Sequence, residues 1–401
     1  MQSKIKIATI IGARPQFIKA ATVSRAIFRH NACAEASVTE IIVHTGQHFD
    51  DNMSEVFFRE LEIPNPDYNL GIGGGSHGQN TGRMLEAIEE VLIKEKPDWV
   101  LIYGDTDSTL AGALAAAKLH IPVAHVEAGL RSYNRIMPEE INRIVADQLS
   151  TILFCPTETA VKNLHKEGFP HKLSGHTRQL ITNVGDVMYD AALFYGIKAD
   201  KKSRIMQTLL LKPKNFVLAT IHRAENTDDP TKLKGIMEAL SQIAIDVPVI
   251  LPLHPRTRKK LELLDSGLIT HQLSSITFID PLGYLDMVML EKNAKVIITD
   301  SGGVQKEAYF NGVPCVTVRD ETEWVELVKA DANILAETIK EAIVEAFQEM
   351  KVRAIEVKRL YGDGNSAEQI VSVLLSNQVR SGNLKYEYSC LSRSSGSVSL
   401  F

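Results

Sequence analysis

Short, mainly apolar runs recur along this chain and alternate with longer stretches of helical periodicity. In the first half the runs fall at 5–11, 41–44, 99–103, 123–126, 152–155 and 181–184, and helical patterns cover 15–29, 80–96, 108–119, 139–149 and 158–167. The second half repeats the design, with runs at 216–220, 249–253, 277–279, 296–299 and 315–318 and helices over 233–245, 284–292, 304–310 and 337–350. Apolar strands that alternate with helices belong to parallel sheets covered on both faces. Two such blocks predict an α/β protein of two doubly wound domains, 1–188 and 189–360, facing across a cleft. The strand rhythm breaks and charge rises over 189–214, which is where the boundary is expected. A helix at 366–375 follows, within a segment 361–380 that packs back. The Ser-rich tail 381–401 has no periodicity and is expected to be disordered. Ligands of such sheets bind beyond the carboxyl ends of the strands, so the residues just after each strand carry the functional question.

Composition narrows the classes. A net charge of −5 offers no general surface for nucleic acid or anionic membrane. No apolar run is long enough to span a bilayer. The segment 1–7 leads straight into a strand and lacks the features of a signal peptide, so the cytoplasm is the expected compartment. Cys33, Cys155, Cys315 and Cys390 are dispersed, without zinc or disulfide spacing. Asp, His and Glu show no metal-ligand spacing, and no Ser sits in a GxSxG context. Neither Gly71-Ile-Gly-Gly-Gly75 nor the turn at Gly12 fits a dinucleotide fingerprint, so no nicotinamide cofactor is expected.

The most informative turn is Ser301-Gly302-Gly303, between the strand 296–299 and the helix 304–310. Glycines at a helix start let an anion approach unpaired N–H groups, although a plain Ser-capped turn has the same letters. Two further loops follow strands and pair His with Arg: His222-Arg223-Ala-Glu-Asn226 and His254-Pro-Arg256. With Arg319, which follows the strand 315–318, they resemble a diphosphate site, and His222 is a candidate acid for a leaving phosphate.

The first half supplies carboxylates. Asp105 follows the strand 99–103 and reads equally as a helix cap or a catalytic group. Glu127 ends a buried strand, where carboxylates are rare unless paired or functional. Glu139 opens a helix; it complements the helix dipole or pairs with Arg143 four residues on. Three carboxylates converging on one site would split acid and base roles. In Gly12-Ala-Arg-Pro-Gln-Phe-Ile-Lys19, Arg14 and Lys19 are placed to face one anion, or are stray surface cations.

In this order, the segments Gly12–Lys19, Thr45-Gly-Gln-His48, Gly104-Asp-Thr106, His125-Val-Glu-Ala-Gly-Leu-Arg131, Pro138-Glu-Glu-Ile-Asn-Arg143, His222–Asn226, Thr299-Asp-Ser-Gly-Gly303 and Tyr361-Gly-Asp-Gly364 resemble the non-hydrolysing UDP-N-acetylglucosamine 2-epimerases, over nearly the whole chain apart from the tail. The resemblance implies two Rossmann-like domains in the glycosyltransferase-B arrangement, UDP held mainly by the second domain, a homodimer and no cofactor. It implies inversion at C2 of a UDP-2-acetamido sugar: UDP leaves C1 as the C2 proton is removed, then adds back with a proton delivered to the opposite face. By motif match it assigns Asp105, Glu127, Glu139 and His222 to catalysis. Arg14, Lys19, Arg143, His254, Ser301, Gly302, Gly303, Glu307 and Arg319 are assigned to the UDP-sugar, with Glu307 as a ribose-hydroxyl acceptor.

Two departures stand out. Thr322-Glu-Trp-Val-Glu326 replaces the usual Thr-Glu-Arg-Pro-Glu, and Gln16 replaces a frequent acidic residue. Both resemble the branch acting on UDP-2,3-diacetamido-2,3-dideoxyglucuronate in O-antigen synthesis, and a Trp beside the site is expected to change the pocket's shape. The hydrolysing relative and a non-catalytic UDP-sugar-binding protein are the alternative readings; a pure binder has no need of three acids opposite a diphosphate cradle.

Overall fold

The computed structural model describes residues 4–33, 37–46, 62, 64–173, 178–263 and 275–377, with Arg14 described by its backbone only. The expectations for Gln47, His48, Cys390, the Arg14 side chain and the tail 381–401 lie outside the described residues.

Two parallel sheets organise the chain. The first has seven strands in the order β3-β2-β1-β4-β5-β6-β7 and the second has six in the order β10-β9-β8-β11-β12-β13. In the first sheet, β1 (Ile5–Ile11) lies between β2 (Val38–His44) and β4 (Trp99–Tyr103), with Ile7 opposite Trp99 and Ile10 opposite Ile102. The edge strand β3 (Tyr68–Asn69) extends one side, and β5 (Val123–Val126), β6 (Ile152–Cys155) and β7 (Leu180–Asn183) extend the other. All five residues of β4 are buried, as a strand covered on both faces requires. One face packs under α1 (Arg14–Cys33), the other under α2 (His77–Glu95) and α3 (Asp107–Lys118). Helix α4 (Pro138–Leu149) follows β5 and α5 (Glu158–Lys166) follows β6.

In the second sheet, β8 (Val217–Thr220) and β11 (Val296–Thr299) are central and paired in register from Val217 with Val296 to Thr220 with Thr299. Strands β9 (Val249–Pro252) and β10 (Ile276–Ile279) flank β8, while β12 (Cys315–Val318) and β13 (Asn333–Ala336) flank β11. Each sheet with its helices makes a doubly wound, Rossmann-like unit, the fold class expected. In each sheet the strand order reverses beside its central pair, β1/β4 and β8/β11, which opens a crevice at their carboxyl ends.

Helix α6 (Val187–Lys202) occupies the stretch where the strand rhythm fails. It buries Val187, Met188, Ala191, Tyr195 and Ala199 in the core of the first sheet, and it also packs on α9 (Tyr284–Asn293) of the second. Between them in the chain lie α7 (Pro230–Ile243) and α8 (Pro255–Leu263). Then come α10 (Gly302–Phe310) and α11 (Lys340–Met350), and last α12 (Ser366–Ser376), which packs on α1. Helix α10 starts at Gly302 rather than Val304, so the two glycines form its first turn. Cys155 and Cys315 are buried thiols, and burial pushes Cys315 up to about 12.

Candidate active site

The loops after β1, β4 and β5 meet at the crevice of the first sheet. His125, on β5, is fully buried; its Nε2 donates to the Gly104 carbonyl at 2.7 Å, and its Nδ1 lies 2.8 Å from Asp147 Oδ1. Asp147 also accepts from Gly129 N at 3.1 Å and Arg131 Nη1 at 2.7 Å. This buried hub sets the two turns that carry Asp105 and Glu127. Gly104 has φ +61°, and a side chain there would meet Lys19 Nζ at 3.2 Å and Glu127 Oε2 at 3.3 Å. Glu127 itself has φ +72°, a conformation an L-residue adopts at a cost and one that clusters at functional sites.

The capping ambiguity at Asp105 resolves here. Thr106 is the N-cap of α3, with Thr109 completing a capping box. The Asp105 side chain instead pairs with Arg143. Burial pushes the Asp105 carboxyl up, but the charges of Arg143, Lys19 and Arg223 outweigh it and hold it below its ordinary value. Lys19 pairs with Glu127 Oε2; burial, reinforced by repulsion from Lys306, brings its ammonium down to about 8.

Gln16, where an acid was the frequent alternative, is a buried staple. Its carbonyl accepts from Gly12 N at 2.8 Å and Ala13 N at 3.0 Å, while its amide donates to the Tyr103 carbonyl at 2.9 Å and Thr109 Oγ1 at 3.0 Å. A carboxylate would keep the first two bonds and lose the second two.

The proposed pairing of Glu139 with Arg143 is not the one the structure makes. Arg143 Nη1 donates to Glu140 Oε2 at 3.0 Å. Glu140 turns back to accept from Ser132 N and Tyr133 N, both at 3.0 Å, so it takes the buried position and leaves Glu139 half-buried outside this network.

On the second domain, Asp300 is fully buried at the end of β11 and organises the facing loop. Its carboxylate accepts from His222 N at 3.0 Å, Arg223 N at 3.0 Å and Asn226 Nδ2 at 3.2 Å. His222 Nδ1 lies 3.3 Å from the same carboxylate, and the His222 and His254 rings are 5.6 Å apart. Ser301 occupies the N-cap of α10 without a side-chain capping bond, so its hydroxyl does not occupy the first-turn N–H groups. Glu307, one turn on, is buried and accepts from Tyr284 Oη at 3.1 Å. Arg319 donates to Glu323 Oε2 at 3.0 Å.

The two halves touch. Arg143 Nη2 lies 3.9 Å from Glu323 Oε1, and a Cβ on Gly302 would sit 3.6 Å from that same oxygen. Lys306, on α10, donates to Glu127 Oε1 at 3.0 Å. The structure therefore draws Lys19, Asp105, Glu127, Arg143, Arg319 and the Ser301–Gly303 turn into one charged cluster across the crevice, with His222 and His254 at the carboxyl ends of β8 and β9. Trp324 sits beside the Ser301–Gly303 turn. It is buried, its Nε1 is 3.6 Å from a Cβ on Gly302, and its face carries the Lys306 ammonium at 4.0 Å. Sequence reasoning missed Asp300, Lys306 and Asp147. Asp300 alone carried a local signal, a carboxylate directly ending an apolar strand.

Among the described residues, no His, Cys, Asp or Glu cluster is arranged to hold a metal ion, and no helix is long and apolar enough to cross a membrane.

Residues 31–375 match the family described as UDP-N-acetylglucosamine 2-epimerase. The UDP-2,3-diacetamido-2,3-dideoxy-D-glucuronate 2-epimerase of Pseudomonas aeruginosa is 55% identical over 372 residues, 92% of this chain and 99% of that protein. The UDP-N-acetylglucosamine 2-epimerase of Methanocaldococcus jannaschii is 44% identical, and its crystal structure in complex with UDP-GlcNAc and UDP matches with a TM-score of 0.82, covering 93% of this chain and 99% of that one. The Neisseria meningitidis UDP-GlcNAc 2-epimerase bound to UDP-GlcNAc is 32% identical with a TM-score of 0.80, over 93% of this chain and 100% of that one. The chain belongs to the UDP-N-acetylglucosamine 2-epimerase family.

Proposed function

We propose that this protein inverts C2 of a UDP-2-acetamido sugar without releasing the free sugar, by elimination and re-addition of UDP. The observation that carries the reading is Glu127, a strained carboxylate held by a cation of its own domain and by one from the helix whose first turn forms the anion cradle. A C2–H beside an acetamido group is barely acidic, so the base must act as the diphosphate departs. The departing charge needs donors fixed in advance. The first turn of α10, Arg223, His222, His254 and Arg319 take that role, and Glu307 accepts from the ribose.

Proton removal on one face and delivery on the other require two acid/base groups. Glu127 and Asp105 fill them, and Glu139 positions the sugar at the mouth of the crevice. Lys19, Arg143 and Arg14 complete the sugar and phosphate contacts.

The substrate is either UDP-N-acetylglucosamine or UDP-2,3-diacetamido-2,3-dideoxyglucuronate. The 55% identity to the P. aeruginosa enzyme and the Trp324-Val325 departure favour the second. The product would feed surface-polysaccharide synthesis from the cytoplasm, with the enzyme acting as a homodimer. Chromatographic separation of gluco and manno UDP-sugars after incubation with each substrate tests the reading. A manno product that keeps UDP supports it; free mannosamine would point to the hydrolysing chemistry instead.

A further inference from the structure

Lys306 has been given no role of its own beyond its contact with Glu127, yet it is one of the most completely buried side chains in the molecule, 1% exposed. Its ammonium donates to Glu127 Oε1 at 3.0 Å and to Asp186 Oδ2 at 2.5 Å, and it lies 4.0 Å above the Trp324 ring centroid. The two carboxylates and the ring face account for the donor directions of the ammonium. Asp186 precedes α6, Glu127 ends the strand β5, and Lys306 sits one turn into the helix that begins at Gly302. One side chain therefore joins the anion cradle of the second domain to the carboxylate of the first.

The geometry at Glu127 is bilateral. Lys19 from α1 takes Oε2 and Lys306 takes Oε1, so both oxygens are directed by cations. Asp105, Asp186 and Glu326 are the neighbouring carboxyls, and the two lysines repel each other across Glu127. A lysine at a helix position of this kind is costly to bury unless its charge is matched. Asp186 is already committed as the N-cap of α6, accepting from Met188 N at 2.8 Å, so it is a fixed anchor.

We propose that Lys306 is a positioning residue for Glu127: carried on the nucleotide-cradle helix, it fixes the orientation of that carboxylate and favours its ionised form. The proposal rests on the reading of Glu127 as an acid/base group at C2.

Two variants test it in the full-length protein. Lys306→Met removes the ammonium, and Lys306→Met/Asp186→Asn removes it without stranding a buried carboxylate, since Asn also serves as an N-cap. The expected result in both is a kcat lowered by about tenfold or more with KM for the UDP-sugar within about threefold, because the lost interaction acts on the reacting group rather than on binding. The titration of Glu127 is followed by carbon NMR of Glu-labelled protein, with the signal assigned from its absence in Glu127→Gln. In Lys306→Met its midpoint should move to higher pH by about one unit, as loss of an adjacent cation requires; the double variant, which also loses the Asp186 charge, is read for kcat and KM only. An unmoved midpoint, or a moved midpoint with kcat within about twofold of the native enzyme, overturns the proposal. If the native protein epimerises neither sugar, the titration alone decides, because it needs no turnover.

Discussion

Asp300 accepts the backbone N–H of His222 at 3.0 Å, so a fully buried carboxylate at the end of β11 dictates the shape of the loop after β8. It takes the Arg223 N–H and the Asn226 amide as well. Replacing it by alanine orphans three donors in a dry place. Asp300→Ala should therefore destabilise the protein by about 2–4 kcal/mol. It should also weaken UDP binding, because His222 and Arg223 lose their place. Chemical denaturation together with calorimetric titration of UDP checks both effects; native UDP affinity would separate the loop from the nucleotide site.

Glu127→Gln keeps the size of the side chain and removes its acid/base capacity. Turnover is expected to fall by about 10²–10⁴-fold, the usual reach of a general acid or base. UDP affinity should be unchanged, since the cradle lies on the other domain. Loss of UDP binding in a folded variant would contradict the role given to this residue.

Lys19 gives a pH signature. Burial, with Lys306 beside it, brings its ammonium down to about 8, so the free enzyme loses this cation as pH rises through that value. kcat/KM should fall on the alkaline side with a midpoint near 8. Lys19→Arg keeps its charge, because guanidinium does not titrate in this range. Its profile, at whatever rate remains, should lack that limb. The same limb in both proteins would assign it to another group.

Asp190 predicts a stabilising change. Its carboxylate accepts from Ala367 N at 2.8 Å and so ties α6 to the start of α12, yet burial raises it from 3.8 to about 6. The folded protein holds this proton more tightly than the unfolded chain does. Stability contributed by the protonated form is therefore present below the unfolded value and lost as pH rises through about 6. At neutral pH the ionised group is a net cost. Asp190→Asn keeps an acceptor for Ala367 and should stabilise the protein at pH 7 by about 1–3 kcal/mol, with the gain gone near pH 4. Denaturation midpoints at the two pH values decide it, and a less stable variant at pH 7 would contradict the account.

The sheets were legible because the central strands are mainly apolar runs, and the loops after them were legible because polar residues there end such runs. The edge strand β13 begins at Asn333 and lacks that contrast, and α8, Pro-Arg-Thr-Arg-Lys-Lys-Leu-Glu-Leu, is too polar to show a helical face. Glu139 and Glu140 are indistinguishable as letters; which one turns inward depends on the chain reversal at Ser132–Tyr133. Lys306 reads as an ordinary helix-surface lysine, because its burial comes from the opposite domain and from Trp324, distant in sequence. Trp324, expected to change the pocket's shape, also stacks its ring beneath that ammonium.

The most direct test of the central claim is proton NMR of UDP-N-acetylglucosamine incubated with the enzyme in deuterated water, with UDP-2,3-diacetamido-2,3-dideoxyglucuronate in parallel. The account predicts deuterium at C2 in one of these sugars, with a manno product that still carries UDP. No exchange at C2 of either sugar, in a protein that binds UDP, would contradict it.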